Sequence, residues 1–242
     1  MDAIVIKGLT KKYKDTLAVD NLCLNVEKGE LLSLLGVNGA GKTTTIKMLS
    51  CLTKPTSGDA FLNGKSICSD AAAVKSMIAV SPQESAVARA LSVEENLELM
   101  CGVHGISKEE RKSKLEGLTK LLGLEAVKNK KAGKLSGGWQ RRLSIAMALI
   151  SDPEILFLDE PTLGLDVIAR SELWDIVRSL KGRVTIILTT HYMEEAEALS
   201  DRIAIMKEGR LLICERADKI KEIAQSDNFE QAFIKIVKGE LK

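Results

Sequence analysis

The sequence predicts an α/β protein with a mainly parallel sheet, an antiparallel β layer and an inserted helical subdomain. Three continuous apolar runs, at residues 31–35, 155–158 and 184–188, are typical of strands buried on both faces. The alternating pattern of residues 22–26 instead favours a strand with one exposed face, as in an antiparallel layer. Because helix-forming segments follow the apolar runs, the rhythm indicates a doubly wound core.

The order of the predicted elements sets the expected boundaries. Residues 1–83 and 135–215 form the α/β core, which ends in a hairpin after the last parallel strand. Residues 84–134 form the helical insert, because leucines recur there at helical spacing and no strand pattern interrupts them. Residues 216–242 form a C-terminal helical tail whose apolar side chains share one face, which favours a packing stripe over a partner site.

The composition argues against several classes of protein. Aromatic residues make up only 3% of the 242-residue chain, so broad base-stacking surfaces are not expected, and a net charge of +2 gives no nucleic-acid footprint. The five cysteines form no CxxC pair and are expected to be reduced thiols of a cytosolic protein. No apolar run approaches the ~20 residues that a membrane span needs, so any membrane association should be peripheral.

A glycine-rich loop, GVNGAGKTT at residues 36–44, lies between the first apolar run and a predicted helix. It matches the phosphate-binding pattern GxxxxGK[ST] in the strand-to-helix context that the pattern requires. Lys42 would place its charge on the β- and γ-phosphates, Thr43 would ligate Mg²⁺, and Thr44 would contact the α-phosphate. The expected nucleotide-binding residues of this loop are Gly36, Asn38, Gly39, Ala40, Gly41, Lys42, Thr43 and Thr44.

Two carboxylates end another apolar strand, in the segment ILFLDE at residues 155–160. Asp159 is placed to hold Mg²⁺, directly or through water, opposite the glycine-rich loop. Because successive residues of a strand face opposite ways, Glu160 is expected to point elsewhere and to act as the general base for an attacking water. An acidic pair can also cap a helix, but the loop at residues 36–44 favours the catalytic interpretation.

Two further polar residues follow predicted parallel strands. His191 comes just after the apolar run at residues 184–188, and Gln83 follows a short strand predicted at residues 78–80. A lone histidine usually has no special role, but α/β folds bind ligands at the carboxyl ends of their strands. We therefore expect His191 to contact the γ-phosphate. We expect the Gln83 amide to bind Mg²⁺ or water and to report occupancy to the insert.

The segment LSGGWQRR at residues 135–142 has the pattern of a second helix start that attracts an anion. Ser136 precedes Gly137 and Gly138, and an amphipathic run follows them. Because the chain already has a phosphate-binding loop at residues 36–44, the motif itself does not explain why there is a second anion-binding helix start.

These motifs occur in an order that resembles the ATP-binding subunits of ABC transporters. The glycine-rich loop, Gln83, LSGG, ILFLDE, the loop TLGLD at residues 162–166 and His191 carry the resemblance, which extends from Tyr13 to the tail. LSGG between the phosphate loop and the acidic strand is its specific marker. The resemblance implies a P-loop NTPase core, ATP and Mg²⁺ as cofactors, and ATP hydrolysis. It also implies that Tyr13 stacks on adenine, although a surface tyrosine on a strand is the other interpretation.

The resemblance also accounts for LSGG. It implies a head-to-tail dimer in which one subunit's phosphate loop and the partner's LSGG helix enclose each ATP. Ser136, Gly137 and Gly138 would then face the γ-phosphate of the partner's ATP, and Asp166 would cross the interface. ATP would hold the dimer closed and hydrolysis would release it.

Within the family, the chain resembles exporters of the drug- and antibiotic-resistance kind, in which the ATPase and a polytopic membrane permease are separate polypeptides. This implies a homodimer, or a heterodimer of close homologues, bound peripherally to the cytoplasmic face of the cell membrane without nucleic acid. Two residues, Trp139 and Val167, depart from those common at their positions. Trp139 would either pack under the insert or change how tightly the dimer closes.

Two other classes of protein share some of these motifs. A non-transport ABC-type ATPase that acts on nucleic acid or ribosomes typically carries a long coiled coil, a zinc insert or a second ATPase domain, and no such pattern is seen here. A small-molecule kinase with the same loop would leave LSGG and His191 without a role.

Overall fold

The computed structural model describes residues 1–240 and contains two sheets with helices around them. The strands are β1 (Asp2–Tyr13), β2 (Thr16–Glu27), β3 (Leu31–Leu35), β4 (Ser57–Leu62), β5 (Lys65–Ser66), β6 (Ile78–Ser81), β7 (Ile155–Asp159), β8 (Thr185–Thr190), β9 (Arg202–Lys207) and β10 (Arg210–Glu215). The helices are α1 (Lys42–Leu49), α2 (Ala71–Met77), α3 (Val93–Val103), α4 (Lys108–Leu121), α5 (Gly137–Leu149), α6 (Val167–Leu180), α7 (Met193–Leu199), α8 (Ala217–Ile223) and α9 (Phe229–Lys238). The predicted fold class is confirmed.

The larger sheet contains the three apolar runs. Its strand order is β10-β9-β3-β8-β7-β6, and all neighbours are parallel except the closing hairpin β9–β10. Every residue of β3, β7 and β8 is buried, as expected for strands covered on both faces. The register pairs Leu35 with Thr190 and Asp159 with Thr189. The carboxyl ends of these three strands therefore meet at one edge.

The hydrophobic core is divided between the two faces of this sheet, since successive strand residues point to opposite sides. Leu156 and Leu158 pack with the apolar side chains of α3, α5 and α6. Ile155 and Phe157 pack on the other face with α1 and the antiparallel layer. Alternate residues of one strand thus hold two different layers in place.

The antiparallel layer has the order β2-β1-β4-β5, and its first two strands are longer than predicted. The alternating pattern indicated a strand at residues 22–26, whereas β2, which contains them, extends over 12 residues, as does β1. The ends of both strands carry polar and charged side chains, so the alternation of apolar and polar residues is lost there. Backbone pairing between the strands does not depend on that alternation. The pairing reaches Tyr13 and Thr16 at the tip of the hairpin.

The predicted helix-forming block between the core segments consists of α3 and α4, followed by short 3₁₀ turns at Glu125–Val127 and Ala132–Lys134. A capping box begins α3, because the Ser92 hydroxyl accepts the Glu95 N–H and the Glu95 carboxylate accepts the Ser92 N–H. The block predicted as one periodic stretch is therefore two helices with a turn between them. The expected domain boundaries at residues 84 and 134 stay predictions.

The tail folds back on the core through α8 and α9. Phe229, Phe233 and Ile236 are buried against Ile203 and Ile205 of β9. The apolar face of this tail is therefore a packing stripe, as predicted. Across residues 1–240, every helix is too short or too polar to cross a bilayer.

An irregular segment, residues 82–91, joins β6 to α3 and is held by a buried asparagine. Asn96 Oδ1 accepts the Ala88 N–H at 2.8 Å, while its Nδ2 donates to the carbonyls of Ala88 at 3.1 Å and Ser92 at 2.7 Å. Asn96 is fully buried. Its amide thus gives the Ala88 N–H its partner and adds a second hydrogen bond to the Ala88 and Ser92 carbonyls, which also accept the N–H groups of Leu91 and Asn96.

We predict that Asn96→Ala lowers the free energy of unfolding by about 2 kcal/mol, because it leaves the Ala88 N–H without a partner and removes the bonds that the amide donates to the Ala88 and Ser92 carbonyls. For a chain of this size, the midpoint of thermal unfolding should fall by about 4–8 °C. Asn25→Ala is the matched control, since Asn25 is exposed and its amide bonds only the exposed Asp2 carboxylate. Equal midpoints for the two variants would contradict this role of Asn96.

Candidate active site

The phosphate loop, residues 36–41, connects β3 to α1 in a shape that requires glycine. A Cβ on Gly36 would lie 2.4 Å from the Met206 carbonyl oxygen, and one on Gly41 would lie 2.5 Å from the Ala18 carbonyl oxygen. Gly41 also has φ of +101°, which strongly favours glycine. No side chain caps the first turn of α1. Its backbone N–H groups are therefore available to an anion.

Lys42 crosses the mouth of this loop. Its Nζ donates to the carbonyls of Gly36 at 2.7 Å and Val37 at 3.3 Å, and lies 3.5 Å from Glu160 Oε1. The side chain is only 5% exposed. A buried positive charge is thus fixed beside the free N–H groups, which is an arrangement suited to a phosphate chain.

Asp159 is held at the end of β7 by two threonine hydroxyls. Thr43 Oγ1 donates to Asp159 Oδ1 at 3.1 Å, and Thr189 Oγ1 donates to the same atom at 2.5 Å. A carboxylate next to a hydroxyl offers the hard oxygen ligands that Mg²⁺ prefers. The residues present therefore fit the metal, with Asp159 and Thr43 as the side chains that would hold it.

Glu160 follows β7 in a left-handed conformation, with φ of +46°. The sequence-based explanation, alternation along a strand, is wrong here, because the strand ends at Asp159 and the turn of the backbone redirects Glu160. Its N–H donates to Thr189 Oγ1 at 3.0 Å, and its Oε2 lies 2.9 Å from His191 Nδ1. The carboxylate is therefore fixed between Lys42 and His191. A base oriented in this way is suited to polarise water.

Lys42, Glu160 and the glycine-rich part of the phosphate loop face one cavity of about 760 Å³. The residues lining it are Thr16, Leu17, Ala18, Asn38, Gly39, Ala40, Gly41, Lys42, Thr43, Thr44, Gln83, Glu160, Leu163, His191 and Glu208. The structure thus brings Gln83, Glu160 and His191 to the phosphate loop from three separate strand ends. Five lining residues were not predicted from the sequence: Thr16, Leu17, Ala18, Leu163 and Glu208. Ala18 shows why. Its carbonyl oxygen approaches Gly41 only because the two segments pack together in the folded chain, and no local sequence pattern reports such a contact.

Other predicted residues lie outside the cavity lining. Tyr13 is at the tip of the β1–β2 hairpin, paired with the cavity residue Thr16, and its ring is 43% exposed beneath the Lys11 ammonium at 4.9 Å. The stacking of Tyr13 on adenine therefore stays a prediction. Gly36 and Asp159 lie behind the lining, where they shape the loop and bind Thr43.

The LSGG segment forms a separate, exposed helix start. Ser136 precedes α5 in the N-cap position, yet its hydroxyl makes no capping hydrogen bond. Ser136 and Gly137 are exposed and Gly138 is half-buried. Asp166 occupies the same position before α6, but its Oδ1 accepts the Ala169 N–H at 2.9 Å. The start of α5 therefore keeps its donors free, whereas that of α6 is capped by its own side chain.

Trp139 packs within the chain. Its ring contacts the core formed by the insert and α5, and the Arg142 guanidinium lies 4.8 Å from the ring centroid. Arg142 in turn makes an ion pair with Glu172 of α6. Of the two interpretations offered for Trp139, packing under the insert is the one that these contacts support.

The comparisons with known proteins agree with this geometry. The family model described as "ABC transporter" matches residues 19–163. This chain belongs to the ABC transporter family. A doxorubicin resistance ATP-binding protein of Mycobacterium tuberculosis is 39% identical over 243 residues, which cover 99% of this chain and 72% of that protein. A daunorubicin resistance ATP-binding protein of Streptomyces coeruleorubidus is also 39% identical, over 94% of this chain and 72% of that protein.

Longer relatives match only in part. The human phospholipid-transporting ATPase ABCA3 is 42% identical over 215 residues, which are 87% of this chain but 13% of that protein. Among solved structures, an ATP-binding subunit of an ABC transporter has a TM-score of 0.85 at 26% identity, over 97% of this chain and 99% of its own. A dimeric ATP-binding cassette in a post-hydrolysis state with ADP and Pi has a TM-score of 0.79 at 29% identity, over 88% and 98%.

As an ATP-binding domain of the ABC transporter family, the chain has a phosphate loop and oxygen-bearing side chains that fit ATP with Mg²⁺. Bound Mg²⁺ neutralises charge that develops on the phosphates. The chain itself supplies backbone donors and Lys42 for phosphate binding. Because phosphoryl transfer depends mostly on positioning and electrostatics, this site needs no covalent intermediate.

Glu195 is a fully buried carboxylate on α7, close behind the cavity. Its Oε1 accepts the Trp174 Nε1–H at 3.1 Å, whereas its Oε2 has no hydrogen-bond partner among residues 1–240. Burial raises the pKa of the Glu195 carboxyl, and the nearby side chains of Thr190, Thr162 and Trp174 oppose that rise only in part. Folding therefore favours the protonated form.

We predict that Glu195→Gln becomes more stable relative to the wild-type chain as the pH rises. Because the folded-state pKa is raised, the wild-type chain loses stability as the pH rises through it, whereas glutamine does not titrate and can still accept from Trp174. The difference in thermal midpoint should increase by about 2–4 °C from about pH 5 to about pH 8.

The exposed Glu116 offers the control. Glu116→Gln should give the same difference from the wild-type chain at both pH values. If the Glu195→Gln difference is also constant, the buried carboxyl does not titrate as proposed.

Proposed function

We propose that this chain is the ATP-hydrolysing motor subunit of an exporter, working as a head-to-tail dimer on a separate polytopic membrane permease at the cytoplasmic face of the membrane. The observation that carries the proposal is the exposed start of α5. Its Ser136 hydroxyl makes no capping bond, and it lies outside the cavity formed by the chain's own phosphate loop. A second chain, placed head to tail, offers this free anion-binding end a phosphate.

The roles of the site residues follow from their contacts. Lys42 and the N-terminus of α1 bind the phosphates, Asp159, Thr43 and Gln83 hold Mg²⁺ and its water, and Glu160 takes the proton of the attacking water. His191 orients Glu160 through the 2.9 Å contact and lines the same cavity, where it can contact the γ-phosphate. Asp166 lies on the exposed loop that faces the partner.

Export is supported by the relatives that match over most of their length, which are described as doxorubicin and daunorubicin resistance ATP-binding proteins. The matched region makes up 72% of each of these two relatives but only 13% of the human phospholipid-transporting ATPase. The permease therefore supplies the path and the solute specificity, while this chain supplies the change of shape driven by ATP.

We predict that Glu160→Gln retains ATP binding, lowers kcat at least about 100-fold and accumulates as an ATP-bound dimer. The amide keeps the shape of the side chain but cannot take a proton. Steady-state phosphate release and light scattering with ATP measure the two effects. Glu116→Gln, on the exposed face of α4, should hydrolyse ATP at the wild-type rate. Unchanged hydrolysis by Glu160→Gln would refute the role of Glu160 as the base.

The transport assignment has its own test. After expression with its chromosomal neighbours and extraction in detergent, the chain should co-purify with a multi-span membrane protein. Recovery with ribosomes or nucleic acid alone would instead identify a non-transport ABC ATPase.

A further inference from the structure

Arg141, in the second turn of α5, makes a forked contact with the segment that carries Gln83. Its Nη1 donates to the Pro82 carbonyl at 2.6 Å, and its Nη2 donates to the Gln83 carbonyl at 2.5 Å. The residue is only 5% exposed. A buried guanidinium that binds two consecutive carbonyls holds the backbone in both position and direction.

The partners of Arg141 have no ladder to hold them, because β6 ends at Ser81 and the irregular segment begins at Pro82. The Gln83 side chain lines the nucleotide cavity while its carbonyl is bound by Arg141. A neighbouring contact joins the same elements, since the buried hydroxyls of Ser81 and Ser144 lie 3.0 Å apart. Arg141 therefore does not line the nucleotide cavity itself, but it binds the backbone of Gln83, whose side chain does.

The far end of the irregular segment is fixed to the other side of LSGG. The Ala132 N–H donates to the Leu91 carbonyl at 2.8 Å, and the Gly133 N–H donates to the Arg89 carbonyl at 3.0 Å. Residues 82–91 are thus attached at one end to α5 and at the other to the residues just before it. A displacement of Gln83 cannot leave the start of α5 unaffected.

We propose that Arg141 is a positioning residue that couples the chain's own ATP site, through Gln83, to the LSGG helix start that meets the partner's ATP. The inference rests on the proposed dimer. Occupancy of the cavity sets the position of Gln83, and the guanidinium transmits that position to α5. The coupling is reciprocal, so contact of α5 with the partner's ATP also favours the bound arrangement of Gln83.

The geometry explains why this position needs arginine. A lysine ammonium is a point donor that cannot bind both carbonyls in a fixed direction, whereas the planar guanidinium can. Arg141 Nε has no hydrogen-bond partner among residues 1–240, so the contact is retained although one polar atom stays unsatisfied. An apolar side chain of similar size would leave both carbonyls without this donor.

The test uses the full chain in the Glu160→Gln background, where ATP-driven dimers accumulate. The ATP concentration for half-maximal dimer formation is measured by light scattering, with and without Arg141→Met. We expect that concentration to rise about tenfold or more, and about threefold for Arg141→Lys. ATP affinity, measured at protein concentrations below dimerisation, should change by less than about twofold, because the phosphate loop is untouched.

Two controls separate coupling from stability. Ser144→Ala removes the buried contact with Ser81 between the same elements, so it should lower the thermal midpoint by about 2–4 °C but leave the ATP concentration for dimer formation within about twofold. Arg178→Met, on an exposed face of α6, should change neither quantity. If Ser144→Ala shifts dimer formation as much as Arg141→Met does, Arg141 acts only through packing and the proposal fails.

Other outcomes are equally decisive. If both Arg141 variants form dimers at the same ATP concentration as the chain with Arg141, the coupling is refuted, while the proposed function is unaffected. If Arg141→Met does not fold, the result for Arg141→Lys decides. A Glu160→Gln chain that stays monomeric at every ATP concentration would overturn the proposed dimer and the coupling with it.

Discussion

The parallel register of β3, β7 and β8 is the constraint on which the site depends. It aligns Leu35 with Thr190 and Asp159 with Thr189, so residues far apart in sequence meet at one edge of the sheet. The register is fixed because each strand is buried on both faces, and a slip of one residue would exchange the two hydrophobic layers. The position of the proposed catalytic groups is therefore a consequence of core packing.

The site concentrates buried charge that needs compensation. Lys42, Asp159 and Glu160 are each no more than 8% exposed. Buried charges are costly unless they are paired or hydrogen-bonded, and here the Lys42 ammonium faces Glu160 while two hydroxyls donate to Asp159. These contacts keep the groups oriented in the folded chain. The N–H groups at the start of α1, which no side chain caps, stay available to an anion.

The features that sequence could predict are those encoded by local patterns. The apolar runs located the parallel strands, and the GxxxxGK[ST] spacing located the phosphate loop. The conformation of Glu160 was not predictable, because a left-handed φ at a non-glycine residue is imposed by its surroundings, including the Thr189 hydroxyl bound to its N–H. The roles of Ala18, Trp139 and Arg141 depend on contacts between distant segments, and no local pattern reports such contacts.

The irregular segment between β6 and α3 differs from the sheet in how it tolerates substitution. Its backbone is held largely by side chains such as Asn96 and Arg141, and not by a ladder whose every residue must be kept. A surface built in this way can change shape through a few substitutions while the sheet and the phosphate loop stay the same. The segment can thus be reshaped by substitution without disturbing the strand register that aligns the site.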